Sequence, residues 1–150
     1  MRVFAGLAEL EAAKGEHLGS SDWHTVTQEQ IDAFAEATGD HQWIHVDTEK
    51  AAKGPFGTTI AHGYLTLSLL PVLTKDIYRV DGLTMGINYG SNKIRFPSVV
   101  KVGSRIRAGV ELVDVLEAKL GRQVVNRVTV EIEGEAKPAM VAETLVLLVP

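Results

Sequence analysis

The stretch that decides the fold runs from Thr58 to Leu70 and reads Thr-Thr-Ile-Ala-His-Gly-Tyr-Leu-Thr-Leu-Ser-Leu-Leu. It is apolar on nearly every face, and a helix of that kind is normally buried all round. The spacing predicts a central helix wrapped by other structure, ended or kinked at Pro71, because proline has no N–H and its ring clashes one turn back. On its N-terminal side, Lys53-Gly-Pro-Phe-Gly57 is a cluster of helix breakers and reads as a loop. On its C-terminal side the pattern changes near residue 80 from helical or irregular to alternating. Arg127, Thr129, Glu131 and Glu133 fall on one parity and Val128, Val130 and Ile132 on the other, a strand with one wet and one packed face. Strands are also expected over 83–89, 92–96, 104–117 and 140–149, bounded by Asp81-Gly82, Pro97, Gly121 and Gly134–Pro138. Long strands joined by short turns suggest an antiparallel meander. With one buried helix, that makes an α+β architecture.

Upstream, Thr27-Gln-Glu-Gln30 fits a capping box, followed by Ile31, Phe34, Ala35 and Thr38 on one stripe of an amphipathic helix. Gly39 tolerates the left-handed conformation that stops such a helix. Asp47 or Thr48 is a candidate cap for a short helix through Lys53.

At 150 residues the chain has the length of one domain, residues 1–150 without a linker or repeat. Its composition, 45% hydrophobic and 23% charged, is that of a globular protein. The net charge of −4 argues against a general nucleic-acid or membrane-surface binder, both of which need a basic footprint. Having no cysteine, the chain has no disulfide, thiolate metal site or thiol nucleophile. Met1–Gly15 lacks the basic-then-apolar pattern of a signal peptide, and 59–74 is too short and too polar to span a bilayer. A cytoplasmic location is the expectation.

Two clusters carry chemistry. Gly39-Asp-His-Gln-Trp-Ile-His-Val-Asp47 follows the helix stop, in a loop. Asp40 and His45 would diverge on a straight helix, but around a loop they can converge on one small molecule such as water. Ile60-Ala-His-Gly-Tyr64 opens the buried helix, where backbone N–H groups lack internal partners. Gly63 has no side chain, so a ligand oxygen can approach its N–H, a donor suited to an oxygen that becomes negative during reaction. The plainer readings are an incidental acid and a structural histidine in the loop, and a Gly63 that only permits tight packing. His41, His45, Asp47 and His62 also have a spacing that permits a metal. His62 reads as a structural hydrogen-bonding residue and Asp47 as a cap. Trp23 and Trp43 read as packing residues, and Arg122 and Arg127 as solvated strand charges. There is no Gly-x-Ser-x-Gly elbow, phosphate-binding loop or dinucleotide fingerprint.

Taken together, Gly39-Asp40, His45, Asp47, Phe56-Gly57 and Ile60-Ala-His-Gly63 resemble the MaoC-like dehydratases, and more narrowly the (R)-specific enoyl-CoA hydratases. Asn88-Tyr-Gly-Ser-Asn-Lys-Ile-Arg-Phe-Pro97 with Val102-Gly103 is similar to a further block of that family, although Gln42-Trp43 stands where many members have Asn-Pro. The resemblance implies a hot-dog fold, an antiparallel sheet wrapped around a long helix. It implies an Asp40/His45 catalytic pair, no metal and no cofactor, an acyl-CoA or acyl-carrier-protein thioester as substrate, and a homodimer with active sites near the interface. Substrate contacts are expected from Gly63 as the oxyanion donor and from Ile60, Ala61, His62, Asn88 and Tyr89. Lys93 and Arg95 are candidates for contact with the CoA phosphates. The implied reaction is addition of water to a trans-2-enoyl thioester, or its reverse. A hot-dog thioesterase and a non-catalytic acyl-thioester-binding protein are the rival readings, since fold alone does not separate them.

Overall fold

A computed structural model describes all residues from Met1 to Pro150. The helices are α1 (Leu7–Ala12), α2 (Gln28–Thr38), α3 (Trp43–Val46), α4 (Thr48–Ala52), α5 (Gly63–Ser68) and α6 (Leu70–Thr74). The strands are β1 (Arg2–Phe4), β2 (His17–Ser20), β3 (His24–Thr25), β4 (Tyr78–Val80), β5 (Met85–Arg95), β6 (Arg105–Ala118), β7 (Gly121–Ile132) and β8 (Met140–Val149).

The main sheet has six strands in the order β2-β6-β7-β8-β5, with β3 pairing β6 beside β2. All of its pairings are antiparallel. Alternation in β7 decides its inner face: Val128, Val130 and Ile132 are buried, whereas Arg127 and Thr129 are exposed. Leu65, Leu69, Leu70 and Leu73 of α5–α6 belong to the same hydrophobic core as these valines, so the helical segment lies in the concavity of the sheet. That core of 26 residues runs from Phe4 to Leu148. The expected α+β arrangement, a sheet around a central helical segment, is the one observed.

The structure corrects several expectations. The meander holds only for β6, β7 and β8, because β5 pairs β8 at the sheet edge. The two strands expected over 83–89 and 92–96 are one strand, β5, continued through register shifts on either side of Gly90–Ser91. Bulges at Tyr89 and Asn92 each insert one extra residue without ending the pairing, and Gly90 itself stays paired with Leu145. The first half is not free of β structure. β1 and β4 form a small parallel pair, and β2 and β3 extend the main sheet. These strands of two to four residues are too short to show a period.

The largest correction concerns Thr58–Leu70. Helix begins only at Gly63, because the residues before it are extended and paired elsewhere. Ala61 N–H donates to the Val100 carbonyl at 2.8 Å, Val102 N–H to Thr59 at 3.0 Å and Ile60 N–H to Ile44 at 3.0 Å. The interruption expected at Pro71 is present: α5 ends at Ser68 and α6 begins at Leu70, with Pro71 in its first turn, where its missing N–H costs nothing. Nor is the stretch buried all round, since Tyr64 is 69% exposed.

Candidate active site

Helix α2 ends as its sequence dictates. Thr27 caps its start by accepting from Gln30 N–H at 3.2 Å, and Gly39 closes it at φ 82°. Gln30 does not complete the capping box; its side chain instead meets the His24 ring at 3.0 Å. The left-handed turn at Gly39 sends the chain into the segment that carries Asp40. The expected loop contains one helical turn, α3, and this turn buries His45 while Asp40 stays exposed. Asp47 then caps α4 by accepting from Lys50 N–H at 3.0 Å.

The extended run 58–62 brings the second sequence block against the first. Nδ1 of His45 lies 2.7 Å from the Ile60 carbonyl oxygen. A carbonyl only accepts, so Nδ1 carries the proton and Nε2 is left with a free lone pair in the neutral ring. His45 also has its pKa held below the ordinary histidine value of 6.5, chiefly by burial and further by His62. The Ile60 hydrogen bond and the charge of Asp40 oppose that shift without cancelling it. The ring is therefore neutral near pH 7, a base rather than an acid.

A carboxylate oxygen of Asp40 and ring nitrogens of His45 and His62 all lie within 4.8 Å of one another. The separation suits a water held between carboxylate and imidazole. It does not suit a metal. The two imidazoles are stacked, with centroids 3.8 Å apart and planes 22° apart, so their lone pairs lie in nearly parallel planes. Such lone pairs do not converge on one ion about 2.0–2.1 Å from each nitrogen. The other proposed ligands are dispersed, with His41 facing Glu36 at 3.4 Å and Asp47 capping α4.

His45, Ile60, Ala61 and Gly63 line a cleft of about 240 Å³, walled by Phe96, Val99, Val100 and Ala139. The Gly63 N–H donates to no other group of the protein. A Cβ on Gly63 would lie 3.3 Å from the Phe96 ring, a tight contact that would push the ring or the backbone by a few tenths of an ångström. A second, larger cavity of about 880 Å³ runs between α5–α6 and the sheet, with Leu67, Leu70, Ile94, Val128 and Val146 among its lining.

The sequence-derived candidates thus separate into groups. Asp40, His45, Ile60, Ala61 and Gly63 come together. His62 is buried behind His45 and does not line the cleft. Asn88 lines the larger cavity, and Tyr89 is exposed on β5. Lys93 and Arg95 are exposed on the same strand. Trp23 lies under Arg107, Trp43 under Lys50, and Arg127 pairs with Glu111.

Two supporting residues carried no sequence signal. Gln28 donates through Nε2 to the His45 carbonyl at 2.8 Å and accepts the Thr59 hydroxyl through Oε1. One side chain of α2 therefore ties both blocks together. A polar residue in the first turn of an amphipathic helix looks like any solvated position, and nothing in one sequence marks it.

Comparison with known proteins gives the family and the fold. Residues 9–136 match the family model described as a MaoC like domain. The chain is 58% identical over 147 residues, 97% of each chain, to 3-hydroxyacyl-thioester dehydratase Z of Mycobacterium tuberculosis. It superposes with a TM-score of 0.73 at 25% identity on an (R)-hydratase from A. caviae involved in PHA biosynthesis, over 90% of this chain and 96% of that one. A 3R-hydroxyacyl-ACP dehydratase complex from Mycobacterium tuberculosis shares the fold, with a TM-score of 0.75 at 22% identity, over 89% of this chain and 96% of that one.

Proposed function

The chain belongs to the MaoC-like domain family, and on that premise we propose that it adds water to trans-2-enoyl thioesters in the (R) sense and, in reverse, dehydrates (3R)-hydroxyacyl thioesters. One observation carries the residue assignment: the Asp40 carboxylate and the neutral His45 ring lie within 4.8 Å of each other, and His45 shares a cleft with the unpaired Gly63 N–H.

The thioester carbonyl accepts from Gly63 N–H. Water sits between Asp40 and Nε2 of His45, donating one hydrogen to each. As its oxygen bonds to C3, Nε2 takes one proton and the C2–C3 π electrons move toward the thioester, placing negative charge on the carbonyl oxygen at Gly63. The imidazolium so formed is a strong acid in this buried setting and returns the proton to C2. The hydrogen facing Asp40 stays on the new 3-hydroxyl, and Asp40 acts by orienting the water. Dehydration reverses each step. The acyl tail lies in the larger apolar cavity, as a tail of several carbons requires. No helix is long and apolar enough to cross a membrane, and we place the reaction in the cytoplasm on soluble CoA or acyl-carrier-protein thioesters.

The assembly we propose is a homodimer closed over β5. This strand has one neighbour, β8, and exposes Met85, Ile87 and Tyr89. An unpaired apolar edge is a pairing surface unless something covers it. A second copy covers it in register with itself; a different family member at this edge is the rival outcome. Sedimentation of the purified chain as a dimer, and of Ile87→Glu as a monomer, is the expected result.

The direct test is addition of crotonyl-CoA. Loss of the enoyl-thioester absorbance without free thiol supports hydration. Release of thiol means hydrolysis, and neither change means a binding protein; either result overturns the proposal.

A further inference from the structure

We infer that His62, which does not itself line the cleft, is the positioning residue of the Asp40/His45 pair, holding the carboxylate by its main chain and the imidazole by its face. The inference rests on the reaction proposed above and extends it to a third side chain.

His62 is 3% exposed. Its Nε2 lies 2.9 Å from the Asp40 carbonyl oxygen, which only accepts, so Nε2–H is the donor. Residues 39–42 otherwise bond only to near neighbours. Gly39 N–H meets Ala35 at 2.8 Å, Asp40 N–H meets Thr38 at 3.4 Å, and Gln42 N–H meets the Asp40 carboxylate at 3.3 Å. His62 thus supplies the hydrogen bond that fastens this exposed stretch to the buried entry of α5. The same ring stacks on His45, centroids 3.8 Å apart, and meets the Phe34 ring at 4.9 Å with the planes tilted by 57°. One side chain therefore sets the height of the His45 ring and the anchor point of the Asp40 backbone, which together fix how far the carboxylate stands from the imidazole.

The unused nitrogen supports a role of this kind. Nδ1 of His62 is buried without a hydrogen-bond partner. Leaving a buried polar atom unpaired is destabilising. An apolar ring would fill the space between Phe34 and His45 without that cost, but it has no donor for the Asp40 carbonyl. The position retains the costly ring that makes both contacts. Misplacing a reacting group by about 1 Å can cost roughly 100-fold in rate, so a main-chain anchor has leverage over turnover.

Two substitutions separate the two contacts. His62→Phe keeps the stacking ring and removes the donor. His62→Gln restores an N–H near the position of Nε2 and removes the ring. The prediction is that His62→Phe lowers kcat roughly 10- to 100-fold with KM changed less than about threefold, that His62→Gln recovers part of that loss and leaves the part owed to the missing ring beside His45, and that both melt within a few degrees of the parent. In the Asp40→Asn background, His62→Phe should add little further loss, because His62 acts through Asp40. Full turnover in His62→Phe, or additive losses in the double variant, overturns the inference. Wild-type turnover of crotonyl-CoA tests the proposed reaction separately. If that fails, backbone NMR still decides this point without substrate: resonances of residues 39–42 should shift in His62→Phe and return toward the parent in His62→Gln, and unchanged resonances in His62→Phe refute the anchor.

Discussion

The two cavities that flank α5–α6 are built from different material. The smaller cleft gathers His45 and the free Gly63 N–H beside Asp40, and its walls are cramped enough that a single methyl group on Gly63 would press on Phe96. The larger cavity has more than three times the volume and is lined with Leu67, Leu70, Val128 and Val146, with no member of the Asp–His pair. The difference teaches that the two ends of one helical segment offer different chemistry: under the proposed reaction the N-terminal end would hold the reacting atoms and the apolar flank the tail. Such a division lets the tail site change without disturbing the chemistry.

Variants can break that division or sharpen it. The largest effect is expected at the cleft, where Asp40→Asn and His45→Gln should each lower kcat/KM for crotonyl-CoA by about 10²–10⁴-fold while leaving the fold intact by circular dichroism. Near-normal kinetics in either would remove the pair from the mechanism. Next, Val146→Phe should fill the larger cavity. Its kcat/KM should fall roughly 10- to 100-fold for acyl chains long enough to reach it, each lost methylene contact being worth about 0.8 kcal/mol, and stay unchanged for crotonyl-CoA. A uniform loss across chain lengths would show the two cavities acting as one. Third, Gly63→Ala should cost about 10-fold by pushing the N–H off line against Phe96. Gly63→Ala with Phe96→Leu should regain part of that loss.

The smallest test is the pH profile. In the proposed reaction His45 is the base, and its pKa is lowered from 6.5, chiefly by burial. The acid limb of kcat/KM should therefore lie below pH 6.5, with activity lost as pH falls and the ring gains a proton. Asp40 is among the groups that raise the pKa of His45, so the residual activity of Asp40→Asn should show a limb at still lower pH. Val146→Phe should leave the limb where it is.

The legible parts of the site were those announced by residue type and punctuation. Thr27 and Gly39 bracket α2, and Asp47 opens α4, because capping needs side-chain acceptors or a left-handed residue at set positions. Asp40, His45 and Gly63 stood out as chemistry next to those stops. What stayed hidden depended on partners far along the chain. Thr58–His62 is apolar enough to read as helix, yet its backbone pairs with 100–102 and Ile44, and those long-range bonds override the local preference. His62 looked structural by composition, but its hold on both Asp40 and His45 exists only once the two blocks meet. Gln28 had no signal at all. The continuity of β5 was missed because Gly90, with φ 153°, looked like a strand end, whereas it stays paired between bulges at Tyr89 and Asn92.

By itself the sequence determined the inventory: an amphipathic α2 with its stop, a strand-rich second half, and an acid, a base and a small residue in two blocks. These follow from side-chain periodicity and backbone sterics, which act over a few residues. The tertiary structure alone decided that the run before Gly63 is extended, that the Ile60 carbonyl takes the proton side of His45, and that His62 lies behind the pair. Each of these is a choice of partner for a backbone group or a ring. A hydrogen bond to a distant segment competes with a local one on nearly equal terms, so the winner is settled by the packing that brings that segment near.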